Sequence, residues 1–188
     1  NKQYKKKVYD DDWYLSETFD AAIGQGFQLT TPLQMAMVLS QVANGGISYR
    51  PYLVNKIVDS NGSLVQDFKP EKLGELPISK KTMDIIRESL RNVALEGGTA
   101  GLLFKDFPVN IAGKTGTSEN PHGSDHGWFV AYAPYEKPEV VVVVIVEQGG
   151  FGASSAVPIG KKILEAVFNI NTNPPATTKP VNNIVKTN

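Results

Sequence analysis

Val109-Asn110-Ile111-Ala112-Gly113-Lys114-Thr115-Gly116-Thr117 is the stretch on which the reading of this chain turns. Valine, isoleucine and threonine favour extended backbone, so these residues are expected to form a strand. Two similar segments follow, 128–133 and 139–147, with the turn sequence Pro134-Tyr135-Glu136-Lys137-Pro138 between them, and these predict an antiparallel hairpin. The third strand contains Val140 to Val146, apolar at every position, so both of its faces are expected to be covered.

The first strand carries the chemistry. Gly116 has no side chain, so another backbone can approach there. Side chains alternate along a strand, which puts Thr115 and Thr117 on one side, where two hydroxyls could meet one carboxylate. Lys114 adds positive charge, which favours an anionic substrate and shifts the protonation of a neighbouring base. An unpaired strand N–H at Thr117 could donate to an oxyanion. A phosphate-binding loop is excluded, because it needs glycine five residues before Gly113 and the sequence has Pro108. His122, Asp125 and His126 have metal-pair spacing on a helix, but Pro121 and Gly123 mark a loop, so no metal is expected. Trp128 and Phe129 are read as core or cleft-wall aromatics.

Working towards the N-terminus, Gly97-Gly98 closes a helix predicted from Ser79 to about Leu95, with Met83, Ile86, Leu90 and Val93 on its core face. Residues 47–76 read as short alternating segments, with a hairpin of 52–58 and 63–65 around Asp59-Ser60-Asn61-Gly62. Thr30-Thr31-Pro32 opens a helix whose apolar face is Leu33, Met35, Ala36, Val38, Leu39, Val42 and Ala43, and Asn44-Gly45-Gly46 ends it. Before it, Gly24-Gln25-Gly26 is a glycine-punctuated turn. Residues 1–12, with Lys5-Lys6-Lys7 and Asp10-Asp11-Asp12, are expected to be a solvated, flexible end. Towards the C-terminus, Gly149-Gly150-Phe151-Gly152 precedes a helix from about Ser155 to Phe168, and 171–188 read as a disordered tail. The structured body is therefore placed at 13–170.

The composition bounds the function. The 188 residues carry 19 Lys+Arg against 19 Asp+Glu, which argues against a phosphate-neutralising nucleic-acid binder. Hydrophobic residues make up 41%, enough for a buried core. There is no cysteine, so thiolate nucleophiles and disulfides are excluded. No apolar run approaches the about 20 residues of a membrane helix. The chain opens at Asn1 rather than a methionine, and is read as an internal piece of something longer.

Lys114-Thr115-Gly116 matches one of the three motifs of serine β-lactamases and penicillin-binding proteins. Its surroundings extend the match: Ala22-Ile23-Gly24-Gln25-Gly26, Thr30-Thr31-Pro32-Leu33-Gln34-Met35-Ala36, Gly97-Gly98-Thr99-Ala100, Thr117-Ser118, His126-Gly127-Trp128-Phe129-Val130 and Ala131-Tyr132-Ala133-Pro134. Over roughly 13–169 the chain resembles the C-terminal part of the transpeptidase domain of class B penicillin-binding proteins, elongation type. The resemblance implies an α/β (α+β) fold, in which a mainly antiparallel five-stranded sheet packs between helices. The last three strands and the closing helix would lie here.

It also implies a peptidoglycan D,D-transpeptidase that cross-links stem peptides ending in D-Ala-D-Ala and is acylated by β-lactams. No cofactor is implied. A serine of a Ser-x-x-Lys motif would attack, and a Ser-x-Asn motif would help to shuttle protons. By this likeness Lys114 lies across the cleft from the nucleophile. Thr115, Gly116 and Thr117 bind the substrate, the two threonines holding its terminal carboxylate. The Thr117 N–H is the second oxyanion donor. Location would be outside the cytoplasmic membrane, on an N-terminal anchor.

The chain departs from the pattern in one respect. No serine in it is followed three residues later by lysine, and Ser118-Glu119-Asn120 stands directly after Lys-Thr-Gly-Thr, whereas the family's Ser-x-Asn motif lies well before it. The nucleophile and the first two strands are therefore expected upstream of Asn1, in the upstream half of the same domain or a separate chain. The strand Val140–Val146 would then lack a neighbour on one edge. A class D-like β-lactamase or sensor domain, a non-catalytic binder of peptidoglycan peptides or β-lactams, and a fragment inactive alone remain the alternatives.

Overall fold

The computed structural model describes residues 1–170, so the expected disordered tail 171–188 lies outside the described residues. Thirteen elements follow one another: α1 (Lys2–Tyr9), α2 (Leu15–Ala22), α3 (Pro32–Ala43), β1 (Ile47–Tyr49), β2 (Lys56–Val58), β3 (Leu64–Asp67), β4 (Lys72–Glu75), α4 (Lys80–Asn92), α5 (Gly101–Phe104), β5 (Ala112–Ser118), β6 (His126–Ala133), β7 (Val140–Val146) and α6 (Gly152–Val167).

The three expected strands form one antiparallel meander in the order β5-β6-β7. Its register pairs Thr115 with Phe129 and Ala131 with Val142. Alternation then sorts the side chains onto two faces. One face carries Phe129, Ala131, Val142 and Val144, packed against α5 and α6 through Phe104, Ala156, Val157 and Leu164. The other carries Ala112, Val130 and Tyr132, packed against Leu39 and Ala43 of α3. The all-apolar β7 is thus covered on both faces, as its sequence requires. Among the described residues its outer edge has no strand partner. The arrangement is mixed α/β, with helices packed on both faces of an antiparallel sheet, as expected.

Two glycines of α6 let it pack closely on the sheet. A side chain on Gly160 of α6 would press into the ring of Phe129, which is fully buried. One on Gly152 would meet the Gly116 carbonyl and the Trp128 backbone, which is why α6 begins there, three residues ahead of the sequence expectation, with its first turn on the sheet.

The hydroxyl cap expected at Thr30-Thr31 is formed by Thr31. The Thr31 hydroxyl accepts from Gln34 N–H at 3.2 Å while the Gln34 side chain accepts from Thr31 N–H at 2.8 Å. Ser79 caps α4 by accepting from Thr82 N–H at 3.1 Å. Leu33 and Val38 of α3, expected on its core face, are exposed instead. The 52–65 hairpin is the antiparallel pair β2–β3, turned by Asp59, whose carboxylate accepts from Asn61 and Ser63 N–H. The antiparallel pair β1–β4 that frames it was not legible, because the partners stand far apart in sequence.

The expectation for residues 1–12 needs correction at the level of local structure. Lys2–Tyr9 is helical, and Lys5 is 4% exposed. Its ammonium lies 2.7 Å from Asp11 and 2.6 Å from Glu17, and donates to the Asp12 carbonyl at 2.6 Å. It also stands over the rings of Tyr14 and Phe27. The charge run folds because its two signs meet each other and a buried cation is paired.

Candidate active site

Lys114, Thr115, Gly116 and Thr117 all lie on β5, which is the outer strand of the meander on the side away from β7. Their orientations follow from the register. Lys114 and Gly116 share a face with Val130 and Trp128, and Thr115 and Thr117 share the opposite one with Phe129 and Gly127. The two threonines are therefore on one side, as their spacing requires, and Lys114 is on the other.

Each side chain has a defined neighbour. The exposed Lys114 ammonium donates to the Thr115 carbonyl at 2.7 Å, at the outer edge of the strand. Thr115 and Thr99 share a hydroxyl hydrogen bond of 2.8 Å. The Thr117 hydroxyl accepts from Gly152 N–H, at the first turn of α6, at 3.4 Å. Gly116 lies under Trp128, and a Cβ there would come within 3.2 Å of the Trp128 Cβ. The indole N–H of Trp128 donates to Ser118 Oγ at 3.1 Å. Phe129 is buried in the core, as one of the two expected roles has it, and Trp128 is partly exposed.

The backbone of Thr117 faces outward. Its carbonyl accepts from Gln25 Nε2 at 3.2 Å rather than from β6. In an antiparallel strand the N–H and C=O of one residue point to the same side, so the Thr117 N–H is also on the outer edge. There it lies outside the β5–β6 ladder.

Two residues at this edge were not singled out from sequence. Gln25 bridges the Thr117 carbonyl and the Glu119 N–H, and Thr99 adds a third hydroxyl beside Thr115. Both sit in glycine-rich stretches, where a turn brings a polar side chain onto a distant strand. By contrast, Asn120 of Ser118-Glu119-Asn120 is spent on its own turn, accepting from His122 N–H and donating to the Ser124 carbonyl. His126 Nδ1 accepts from Gln148 N–H at 2.9 Å, and no group of three His, Asp or Glu gathers among the described residues.

A concavity of about 780 Å³ lies elsewhere, between α4 and the turn after β6, lined by Arg87, Glu88 and Tyr135. There Arg87 donates to the Tyr135 carbonyl at 2.9 Å and approaches the Tyr132 hydroxyl. Burial pushes the Tyr132 phenol above its ordinary range, against the Arg87 charge. None of the β5 residues lines it, so the exposed strand edge rather than this hollow is the candidate site.

The model of the penicillin binding protein transpeptidase domain matches residues 2–165. The chain is 31% identical over 186 residues to the peptidoglycan D,D-transpeptidase MrdA of Haemophilus influenzae, covering 89% of this chain and 28% of that protein. It is 34% identical over 162 residues to the peptidoglycan D,D-transpeptidase PbpA of Mycolicibacterium smegmatis, covering 79% and 31%. Less than a third of the length of these curated relatives is thus spanned. Among solved structures, one described as the structural coordination of polymerization and crosslinking by a peptidoglycan synthase complex superposes with a TM-score of 0.78 at 33% identity, over 93% of this chain and 29% of that one. The penicillin G acyl-enzyme complex of penicillin-binding protein A from M. tuberculosis superposes with a TM-score of 0.67 at 30% identity, over 79% and 34%.

Proposed function

The chain belongs to the penicillin-binding protein transpeptidase family, on its class B, elongation-type branch, and from this we propose that it forms one wall of a peptidoglycan D,D-transpeptidase site. The observation that carries the proposal is the outer edge of β5, where Lys114 and the Thr117 N–H stand unpaired by any strand among the described residues.

In this reading a serine from a segment outside these 188 residues attacks the carbonyl carbon of the penultimate D-Ala of a stem peptide. Its hydroxyl proton passes to the lysine of the same motif. The Thr117 N–H donates to the carbonyl oxygen as negative charge builds there, a contribution of about 3 kcal/mol for one such donor. Collapse breaks the peptide C–N bond, and terminal D-Ala leaves with a proton on its nitrogen. An amine of a second stem peptide then attacks the acyl ester and releases the serine. Lys114 raises the positive potential at the substrate end, and the hydroxyls of Thr115 and Thr117 hold the terminal carboxylate. A β-lactam follows the first half of this path, its amide C–N bond opening to leave the serine acylated. The chemistry uses protein groups alone. The site works outside the cytoplasmic membrane; no helix among the described residues is long and apolar enough to cross a membrane.

The open edge of β7 is where the nucleophile-bearing segment adds its strands, so the chain alone is inactive and poorly behaved in dilution. The test is labelling with a fluorescent penicillin, followed by denaturing separation and intact mass. Label on a segment other than residues 1–188 supports the reading. Label on a serine within 1–188, or none, overturns it. Sedimentation of the isolated chain as a folded monomer would count against the role given to β7.

A further inference from the structure

Gln25 sits in a turn built to aim it. Gly24 and Gly26 on either side have φ of 78° and 66°, left-handed values that glycine adopts without cost. A Cβ on Gly26 would also come within 3.1 Å of the Asp20 Cβ. The Gln25 backbone N–H is tied to the Asp20 carbonyl at 2.9 Å, at the end of α2. On the far side, Phe27 packs on Tyr9 and lies under the Lys5 ammonium. The turn is thus fixed from both flanks.

From it the half-buried carboxamide crosses to β5. Nε2 donates to the Thr117 carbonyl at 3.2 Å and Oε1 accepts from the Glu119 N–H at 3.3 Å. A carbonyl and the N–H two residues on, taken by one amide group, is the pair of bonds that one residue of a parallel neighbouring strand would make. The side chain therefore stands in for a strand at this point of the outer edge. It closes the edge beyond Thr117 and leaves the Thr117 N–H clear of that closure, while the Thr115 carbonyl is held by the mobile end of Lys114 rather than by a neighbouring segment.

We propose that Gln25 is a positioning residue for acyl transfer, which holds the Thr117–Glu119 edge so that the Thr117 N–H is aimed at the oxyanion and an extended ligand ends its register at Thr117. The inference rests on the transpeptidase reading given above. Gln25 touches neither the reacting carbonyl nor the nucleophile, and acts through the Thr117 peptide. Because an oxyanion donor works only when charge develops, loss of its alignment lowers the rate of the chemical step and leaves ground-state binding nearly unchanged.

The experiment uses the complete transpeptidase that carries this chain together with its nucleophile, and follows acylation by a fluorescent penicillin over a range of concentrations. Gln25→Glu keeps the size and the acceptor but faces a carboxylate towards the Thr117 carbonyl, and Gln25→Ala removes both bonds. Both are expected to lower the limiting acylation rate about tenfold, roughly the square root of the effect of losing a whole oxyanion donor. The half-saturating concentration should change less than twofold. Wild-type rates in Gln25→Glu, or a loss confined to half-saturation, overturn the inference while leaving the transpeptidase reading intact. An unlabelled wild-type protein overturns both. Amide exchange in the wild-type protein gives a readout independent of any variant. The Glu119 N–H is expected to be protected by this side-chain bond, and free exchange there refutes the clamp.

Discussion

Replacing Gly160 by alanine sets helix propensity against packing. Gly160 lies inside α6, where alanine is favoured by about 1 kcal/mol over glycine. The added Cβ would overlap Cδ1 and Cε1 of Phe129. That ring is fully buried and stacked on Phe104 at 5.9 Å between centroids, so it has nowhere to turn. Overpacking of a tight core costs about 1–3 kcal/mol, and the upper figure applies where the obstructing group cannot yield. The net expectation is a loss of about 2 kcal/mol. Urea unfolding of the complete protein, followed at a probe within this domain, should show a lower midpoint with an unchanged slope. A double-mutant cycle with Phe129→Leu, which removes the ring, should recover at least about 1 kcal/mol of the loss, since the two sites are in contact. If Gly160→Ala is as stable as the parent, or if the two changes are additive, the Phe129 ring does not obstruct a Cβ at position 160.

Three further outcomes follow from the geometry. Thr117→Pro removes the N–H of a residue whose backbone faces away from β6, so the sheet should survive, while penicillin acylation falls about 10²–10³-fold; a loss under tenfold would remove Thr117 from the oxyanion site. Thr31→Ala deletes the cap of α3 and should cost about 1 kcal/mol in equilibrium unfolding, with no change in acylation beyond that. Lys5→Met leaves Asp11 and Glu17 facing each other without their cation, and should expose 1–30 to limited proteolysis before the rest of the domain.

The same cluster has a pH signature. Bonds from Lys5 hold the Glu17 and Asp11 carboxyls below their ordinary values of 4.5 and 3.8, burial opposing in each case. Their stabilisation is present above those values and is lost as pH falls below them. Burial works to lower the Lys5 ammonium, but Asp11 and Glu17 more than offset it and its pKa is raised above 10.5; that contribution holds at neutral pH and disappears only in strong alkali. Protease resistance of residues 1–30 should therefore be flat from about pH 5 to 10 and fall on the acid side in the parent, but not in Lys5→Met.

The meander was legible because its signals are local. Val140–Val146 announces a doubly covered strand, and the Pro134–Pro138 turn fixes the pairing beside it. The Lys114–Thr117 motif was legible as residues, and so was the side shared by Thr115 and Thr117, since strand alternation alone decides it. What escaped depends on meetings across the chain. Lys5 reads as one of three solvated lysines until Glu17 and Phe27 close over it. Gln25 reads as a turn residue until β5 is beside it. β1 and β4 are too short to show a pattern, and only their pairing makes them strands.

The bond between Gln25 and Thr117 spans 92 residues, whereas every strand pair of the meander is joined by a short turn. Closing so long a loop costs about 2 kcal/mol more chain entropy than closing a strand turn. Chain entropy therefore favours pairing within the sheet over closure of the Gln25 contact. An uncovered β5 edge is an open template for pairing, so the Gln25 contact also shields that edge from other copies of the chain.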